Sequence, residues 1–476
     1  MLLERIYDED LAQASYLIGC QANGEALVVD PRRDVQQYLD LAARHGLRIV
    51  AVTETHVHAD FLSGTRELVA ATGATGYVSG EGGEDWTYRF NAEVLHDLDT
   101  LTLGNLTITA RHTPGHTPEH LSFLVTDGAV TDEPGYYLTG DFVFSGDVGR
   151  PDLLDEAAGF EDTRFAGAKQ LFASLKDSFL TIPDHVQVFP GHGAGSACGK
   201  ALGALPSTTV GYERRFAWWA PYLANDDEQG FVDELLDGQP DAHAYFARMK
   251  RQNVQGPAPL GERPPLVELE TTQIAQGLDD GSLVLVDVRP QHEVHRGTVA
   301  GALTVPSAAK AASFGAWAYD PESEDTPLVL LAPDAEAAEE LRDHLVRVGI
   351  DRIAGYITTL EGLPHAVPAT VAPADLQGFL AQHEGALLLD VRNRTEHANG
   401  HLPGSQQLNA GKVLFRQDTL PSPEAGPLVT YCQSGVRNAV AAAALRRAGF
   451  DVVELEGSYA GWASWAAQNA PEQLVS

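Results

Sequence analysis

The chain has 476 residues, 44% of them hydrophobic, which is enough for several packed cores and, at roughly 150 residues each, for about three domains. Asp and Glu outnumber Lys and Arg 66 to 32, and the formal charge of −34 repels phosphate backbones and anionic lipid, which argues against a nucleic-acid or membrane partner. There is no basic-then-apolar leader and no run of 18 apolar residues, and the three cysteines, Cys20, Cys198 and Cys432, are odd in number and far apart, so a cytoplasmic protein with free thiols is expected rather than a disulfide scaffold.

In chain order, Tyr16 to Ile18 is apolar and leads to Cys20, which reads as core. Strand-like runs follow at Ala26 to Val29, Leu47 to Thr53, Leu106 to Ala110, Leu121 to Val125, Tyr136 to Thr139 and Val186 to Phe189, with few helical patterns between the later ones. Two β-sheets with helices outside are the natural reading. The stretch from Gly256 to Pro265 sustains neither a helix nor a central strand, and Leu363 to Ala374 carries Pro364, Pro368 and Pro373; both read as linkers. Beyond the first lies a repeat. Leu283 to Arg289 is echoed by Ala386 to Arg392, with Asp287 and Asp390 set 103 residues apart, and Glu293, Gly297 and Gly301 match Glu396, Gly400 and Gly404 at the same offset. Each copy alternates short apolar strands with helical stretches, 335–348 and 436–448, that end at Gly349 and Gly449, so a parallel α/β domain is expected twice.

The densest chemistry sits just past a strand. Thr55-His56-Val57-His58-Ala59-Asp60 puts two imidazoles and a carboxylate in the loop after Leu47 to Thr53, where open α/β sheets build sites. His116 in Thr113-Pro114-Gly115-His116, Asp141 in Gly140-Asp141 and His192 in Gly191-His192-Gly193 follow other strand ends, each beside a glycine that lets the backbone turn sharply. Taken together they predict a metal site. His112 and His120 flank His116 and read as packed neighbours. Arg150, close after Asp141, is divided between meeting an anionic substrate and forming a structural ion pair. Cys198 follows His192 by six residues and is divided between a sulfur-relay role near the metal pocket and a small buried residue.

This order of His-x-His-x-Asp, then His, Asp and His, resembles the metallo-β-lactamase superfamily over residues 1 to 240, which implies an αββα sandwich. Its binuclear hydrolases, such as glyoxalase II, read His-x-His-x-Asp-His, whereas Phe61 stands at the last position here and cannot ligate. The resemblance then implies one metal, held by His56, His116 and Asp141 as in the superfamily's persulfide dioxygenases. Two imidazoles and a carboxylate suit Fe(II) oxygen chemistry and also suit a catalytic zinc. His58, Asp60 and His192 become groups that orient the ligands or face substrate.

Near the C-terminus, Leu428 to Tyr431 leads into Cys432-Gln433-Ser434-Gly435-Val436-Arg437 and then a helix. Backbone N–H groups, the helix dipole and the Arg437 guanidinium all favour a thiolate there, which is the setting of a nucleophile. With Asp390, Arg392 and Glu396, the loop resembles the rhodanese family, in which the cysteine carries sulfane sulfur as a persulfide cradled by residues at the positions of Gln433, Ser434, Gly435 and Val436. The middle copy lacks these parts, with Ala332 opposite Cys432 and Ala337 opposite Arg437, so a role as spacer, docking or oligomerisation element is expected of it. The expected domains are 1–255, 266–365 and 370–476.

The whole resembles bacterial persulfide dioxygenase–rhodanese fusions. That implies Fe(II), one per chain, with O2 and a low-molecular-weight thiol persulfide as substrates. It further implies sulfite or thiosulfate as products or sulfur partners, and a homo-oligomeric assembly. The rival reading is a zinc thioester hydrolase of the glyoxalase II type with an appended sulfurtransferase.

Overall fold

The computed structural model describes residues 1–153 and 163–469. They form two compact units, one of residues 1–242 with 246–263, the other of 243–245 with the chain from Pro264 onward.

In the first unit, one sheet runs in the order β1 (Leu2–Asp8), β2 (Gln13–Cys20), β3 (Glu25–Val29), β4 (Arg48–Thr53), β5 (Thr75–Ser79) and β6 (Glu93–Leu95). The second contains β7 (Thr100–Leu103), β8 (Leu106–His112), β9 (Leu121–Asp127), β10 (Tyr136–Gly140), β11 (Gln187–Pro190) and β12 (Thr208–Thr209), again in sequence order. Side-chain alternation explains the layering. Tyr16 and Ile18 of β2 share one core with Ile108 of β8 and Phe123 of β9, between the sheets. Leu17, pointing the other way, packs with Val28, Val52, Tyr38 and Leu68 under the helices Gln36–Arg44 and Thr65–Thr72. Tyr137 and Val188 face away from the shared core and pack with Leu171 and Leu235 of the helices Thr163–Asp177 and Glu228–Leu236. The result is the αββα sandwich expected. Cys20 belongs to the inter-sheet core.

Strand direction then decides where loops emerge. β3 and β4 are parallel neighbours with Val29 opposite Thr53, so Asp30 and Glu54 leave the sheet side by side. β10 and β11 are likewise parallel, with Gly140 opposite Pro190, so Asp141 and His192 leave together. β8 and β9 form a hairpin whose loop carries His116.

The second unit holds two sheets. β13 (Val284–Asp287), β15 (Leu303–Thr304), β16 (Leu328–Leu331) and β17 (Ile353–Ile357) form an all-parallel sheet in the order β15-β13-β16-β17, while β14 (Thr298–Val299) pairs with β18 (His365–Ala366). The last sheet, also parallel, runs β19-β23-β22-β20-β21, with β19 (Ala369–Val371), β20 (Leu387–Asp390), β21 (Gln406–Gln407), β22 (Leu428–Tyr431) and β23 (Val452–Leu455). The repeat is visible in its hydrogen bonds. Arg289 forks onto Asp287 and donates to the Gly297 carbonyl at 2.7 Å, and Arg392 forks onto Asp390 and donates to the Gly400 carbonyl at 2.8 Å.

The two linker readings need correction. Residues 256–263 have no regular element but are strapped to the first unit, because Arg66 donates to the Gly256 carbonyl and Glu67 accepts from the N–H groups of Leu260 and Gly261. Residues 363–374 contain β18 and β19, and β19 tolerates its flanking prolines because it is an edge strand.

Candidate functional site

Three loops deliver His56, His116 and Asp141 to one buried point, where a ligand atom from each lies within 4.8 Å of the others. The hydrogen bonds around them fix the protons. The Nδ1 of His116 lies 2.8 Å from the Arg150 carbonyl, which only accepts, so Nδ1 carries the hydrogen and Nε2 the lone pair. Thr55 donates its hydroxyl to Asp30 Oδ2 at 2.9 Å and therefore accepts from His56 Nδ1, again leaving Nε2 bare. Both Nε2 atoms face Asp141 Oδ2, at 3.9 Å from His56 and 3.5 Å from His116. That oxygen is buried with no hydrogen-bond partner. An orphaned carboxylate oxygen opposite two lone pairs is an arrangement that repels itself unless a cation lies between them.

The electrostatics agree. Burial, reinforced by the neighbouring His58 charge, holds the His56 imidazole well below its usual range, and burial lowers His116 too. Burial would raise Asp141, but the charge and hydrogen bond of His192 overcome it and hold this carboxyl well below the carboxylate range. Neutral imidazoles beside an ionised carboxylate form the protonation state a metal requires. Glycines make room for this. Gly140 has φ +50°, and a Cβ at Gly191 would lie 2.7 Å from Asp141 Oδ1.

The remaining predicted residues separate into different roles. His192 bridges two carboxylates, with Nδ1 donating to Asp141 Oδ1 at 2.7 Å and Nε2 to Asp60 Oδ2 at 2.9 Å. Although burial opposes its charge, the Asp141 and Asp60 carboxylates raise it well above its usual value. His58, its ring centroid 4.3 Å from that of His56, lies 3.1 Å from Asp30 and 3.2 Å from Glu54. Burial would lower it, but Asp30 and then Glu54 raise it to about 10, so this cluster balances its carboxylates with a proton. The Phe61 ring packs against His58 with centroids 4.4 Å apart.

Arg150 forms the ion pair of the two readings, and its other contacts lie within the fold. Its guanidinium is fully buried, forked onto Asp152 at 2.7 Å and donating to the carbonyls of Ala197 and Pro240. It ties down the loop that carries Cys198. The Cys198 sulfur lies near His192 and Asp141, and burial pushes its thiol up to about 12, so at neutral pH the sulfur stays protonated. His120 accepts from the Asp141 N–H at 3.1 Å and is pushed down to about 3 by burial, which makes it a neutral support for the loop. His112 bonds the Pro118 carbonyl.

Sequence reasoning missed Asp30, Glu54 and Glu119. Glu119 is fully buried and accepts from the Val57 N–H at 2.7 Å, fixing the turn between His56 and His58. The same rule that found His56, a polar residue at the end of an apolar strand, would have found Asp30 after β3 and Glu54 after β4. His116 also lines a cavity of about 280 Å³ with Trp86, Pro151, Gln170 and Lys250, whose ammonium lies 3.7 Å from the centroid of the Trp86 ring.

In the second unit, Cys432 follows β22 and is buried, while Gln433, Ser434 and Val436 are exposed around it. The Gly435 N–H donates to its Sγ at 3.0 Å. Gly435 has φ +106° and opens the helix Val436–Arg447 without a side-chain cap, so that helix end is left to the sulfur. Arg437 forks onto Glu396 with both contacts at 2.7 Å. Glu396 also closes a capping box with Asn393, fixing the carboxylate that aims the guanidinium. In the middle copy Ala332 follows β16, and the next helix, Ala335–Arg347, is capped by its own Asp334, which accepts from the Ala337 N–H at 2.9 Å. The helix end that one copy leaves for sulfur is filled by a carboxylate in the other.

Residues 8–192 match the metallo-beta-lactamase superfamily and residues 372–464 the rhodanese-like domain. The crystal structure of a metallo-beta-lactamase from Staphylococcus aureus subsp. aureus COL is similar at 38% identity with a TM-score of 0.66, covering 75% of this chain and 98% of that one. Among curated proteins, the mitochondrial persulfide dioxygenase ETHE1 of Bos taurus is 26% identical over 200 residues, 40% of this chain and 68% of its own. A hydroxyacylglutathione hydrolase of Nitrosococcus oceani is 28% identical over 238 residues, 49% of this chain and 82% of its own.

Proposed function

Because the chain belongs to the metallo-β-lactamase superfamily and carries a C-terminal rhodanese-like domain, we propose that it oxidises a low-molecular-weight thiol persulfide with O2 at a single Fe(II) and moves sulfane sulfur through Cys432. The observation that carries this reading is the proton inventory around the metal point. His56 Nε2, His116 Nε2 and Asp141 Oδ2 are bare, whereas His58 and His192 are raised by their carboxylate partners. One cation therefore has three donors, and a second would have to displace protons from two paired histidines, with Phe61 filling space where a further ligand would stand. Two imidazoles and a carboxylate leave positions open for substrate and O2, and Fe(II) bound there would supply the redox chemistry.

The protein's own groups do the rest. His192 holds Asp141 by its inner oxygen, Arg150 fixes the carbonyl that orients His116, and Thr55 orients His56. The cavity beside His116 offers Trp86 and Lys250 to the carrier part of the substrate. In the rhodanese-like domain, the Gly435 N–H and the helix end behind it face the Cys432 sulfur and any charge it bears. We propose three domains, with the boundaries 1–255, 266–365 and 370–476 widened so that residues 256–263 join the first and the whole of β19 joins the last, and with the middle one inert in transfer.

A zinc thioester hydrolase is the second reading, favoured by the hydroxyacylglutathione hydrolase relative. Metal analysis with oxygen uptake separates them. One iron per chain, O2 consumption with a thiol persulfide, and loss of both in His116→Ala are expected; two zincs with thioesterase activity would refute the proposal.

A further inference from the structure

The middle rhodanese-like domain has no thiol, yet it reaches the loop of the domain that does. Gln291 begins the short helix Gln291–Val294, and its side-chain amide lies against Gly435, the residue whose N–H meets the Cys432 sulfur. A Cβ at Gly435 would lie 2.2 Å from Gln291 Oε1 and 2.5 Å from its Nε2, so the amide fills the side of the loop that the glycine leaves open. Its segment has a second neighbour in the same domain. Four residues on, His295 Nε2 lies 3.2 Å from Glu454 Oε2, and Glu454, buried in β23, also accepts from Asn438 and Arg446 of the helix that Gly435 opens. One carboxylate thus holds the Cys432 helix and lies beside the Gln291 segment.

We infer that Gln291 is a specificity-determining residue for sulfur transfer at Cys432, contributed by the inert domain, and that its amide N–H groups bind the oxygens of small sulfur oxyanions such as thiosulfate and sulfite. This rests on Cys432 being a sulfur carrier. In that step the Cys432 thiolate attacks the sulfane sulfur of thiosulfate, a new S–S bond forms, and sulfite leaves with the electron pair of the broken one. The reverse delivers sulfur to sulfite. In either direction three oxygens stand at the mouth of a loop whose guanidinium, Arg437, is already forked onto Glu396. A neutral amide there donates to an anion without binding it tightly, and it leaves little room for a bulky acceptor.

The test uses the full chain with thiosulfate as donor and uncharged dithiothreitol as acceptor. Intact-mass analysis after thiosulfate treatment first reports whether Cys432 gains one sulfur, which checks the carrier reading separately; if no sulfur is gained, that reading falls and this one with it. Gln291→Glu, nearly isosteric but anionic, should raise KM for thiosulfate at least tenfold, with kcat within twofold and KM for dithiothreitol unchanged. Gln291→Ala should raise KM for thiosulfate about threefold and improve kcat/KM for larger thiol acceptors. With Cys432 sulfurated normally, a thiosulfate KM within twofold of wild type in both variants overturns the inference. So does an equal loss for thiosulfate and dithiothreitol, which would mean that Gln291 only props the loop.

Discussion

Replacing Glu119 by Gln should change how the stability of the first unit depends on pH. The Glu119 carboxyl is fully buried, and burial, only partly offset by the Val57 N–H and other donors, raises it from 4.5 to about 7. Because the folded state holds this proton more tightly than the unfolded chain, stability is greatest at low pH. It falls as pH rises through the window between the two values, and levels off above the folded one. With those values and RT of about 0.59 kcal/mol, the loss between pH 5.5 and pH 8 is about 2 kcal/mol. In Glu119→Gln the amide oxygen still accepts from Val57, but its NH2 replaces Oε2, which has no hydrogen-bond partner, at a pH-independent cost of about 1 kcal/mol. Urea unfolding at pH 5.5 and 8, followed through the transition of residues 1–263, should show the variant gaining about 2 kcal/mol on wild type across that interval. Parallel pH profiles for the two proteins would refute the reasoning.

Cys432→Ser should keep oxygen uptake near wild type while the product of persulfide turnover shifts from thiosulfate to sulfite, because a hydroxyl cannot carry sulfane sulfur; unchanged thiosulfate, after correction for spontaneous reaction of sulfite with persulfide, would disconnect the two sites. Arg150→Met should destabilise the first unit by about 3 kcal/mol, since it strands Asp152 and two carbonyls, and urea unfolding measures this; a raised KM with unaltered stability would return Arg150 to substrate binding.

The metal point was legible because its residues follow strand ends in a fixed order, and order survives in sequence when distance does not. Phe61 was equally legible, as a chemical absence. The partners of His58 were not, since Asp30 and Glu54 are single acids whose meaning comes from β3 and β4 running parallel, a long-range fact. Arg150 stayed divided because an arginine near a site has the same sequence context whether it faces substrate or carbonyls 47 and 90 residues away. The proline-rich stretch 363–374 misled for a different reason. Proline excludes central strands but not edges, and which strand is an edge is decided by the whole sheet. Gln291 carried no local sign at all, since its neighbour is 144 residues on.

Asp334 makes the middle copy a poor starting point for a sulfur site. Its carboxylate already satisfies the helix end that would have to receive a sulfur anion, so a thiol placed at Ala332 would open onto negative charge instead of onto free N–H groups. Sulfur transfer there would need a thiol gained, the cap lost and a guanidinium supplied at Ala337, three changes made together. What the middle copy offers the chain instead is the surface that Gln291 turns toward Gly435.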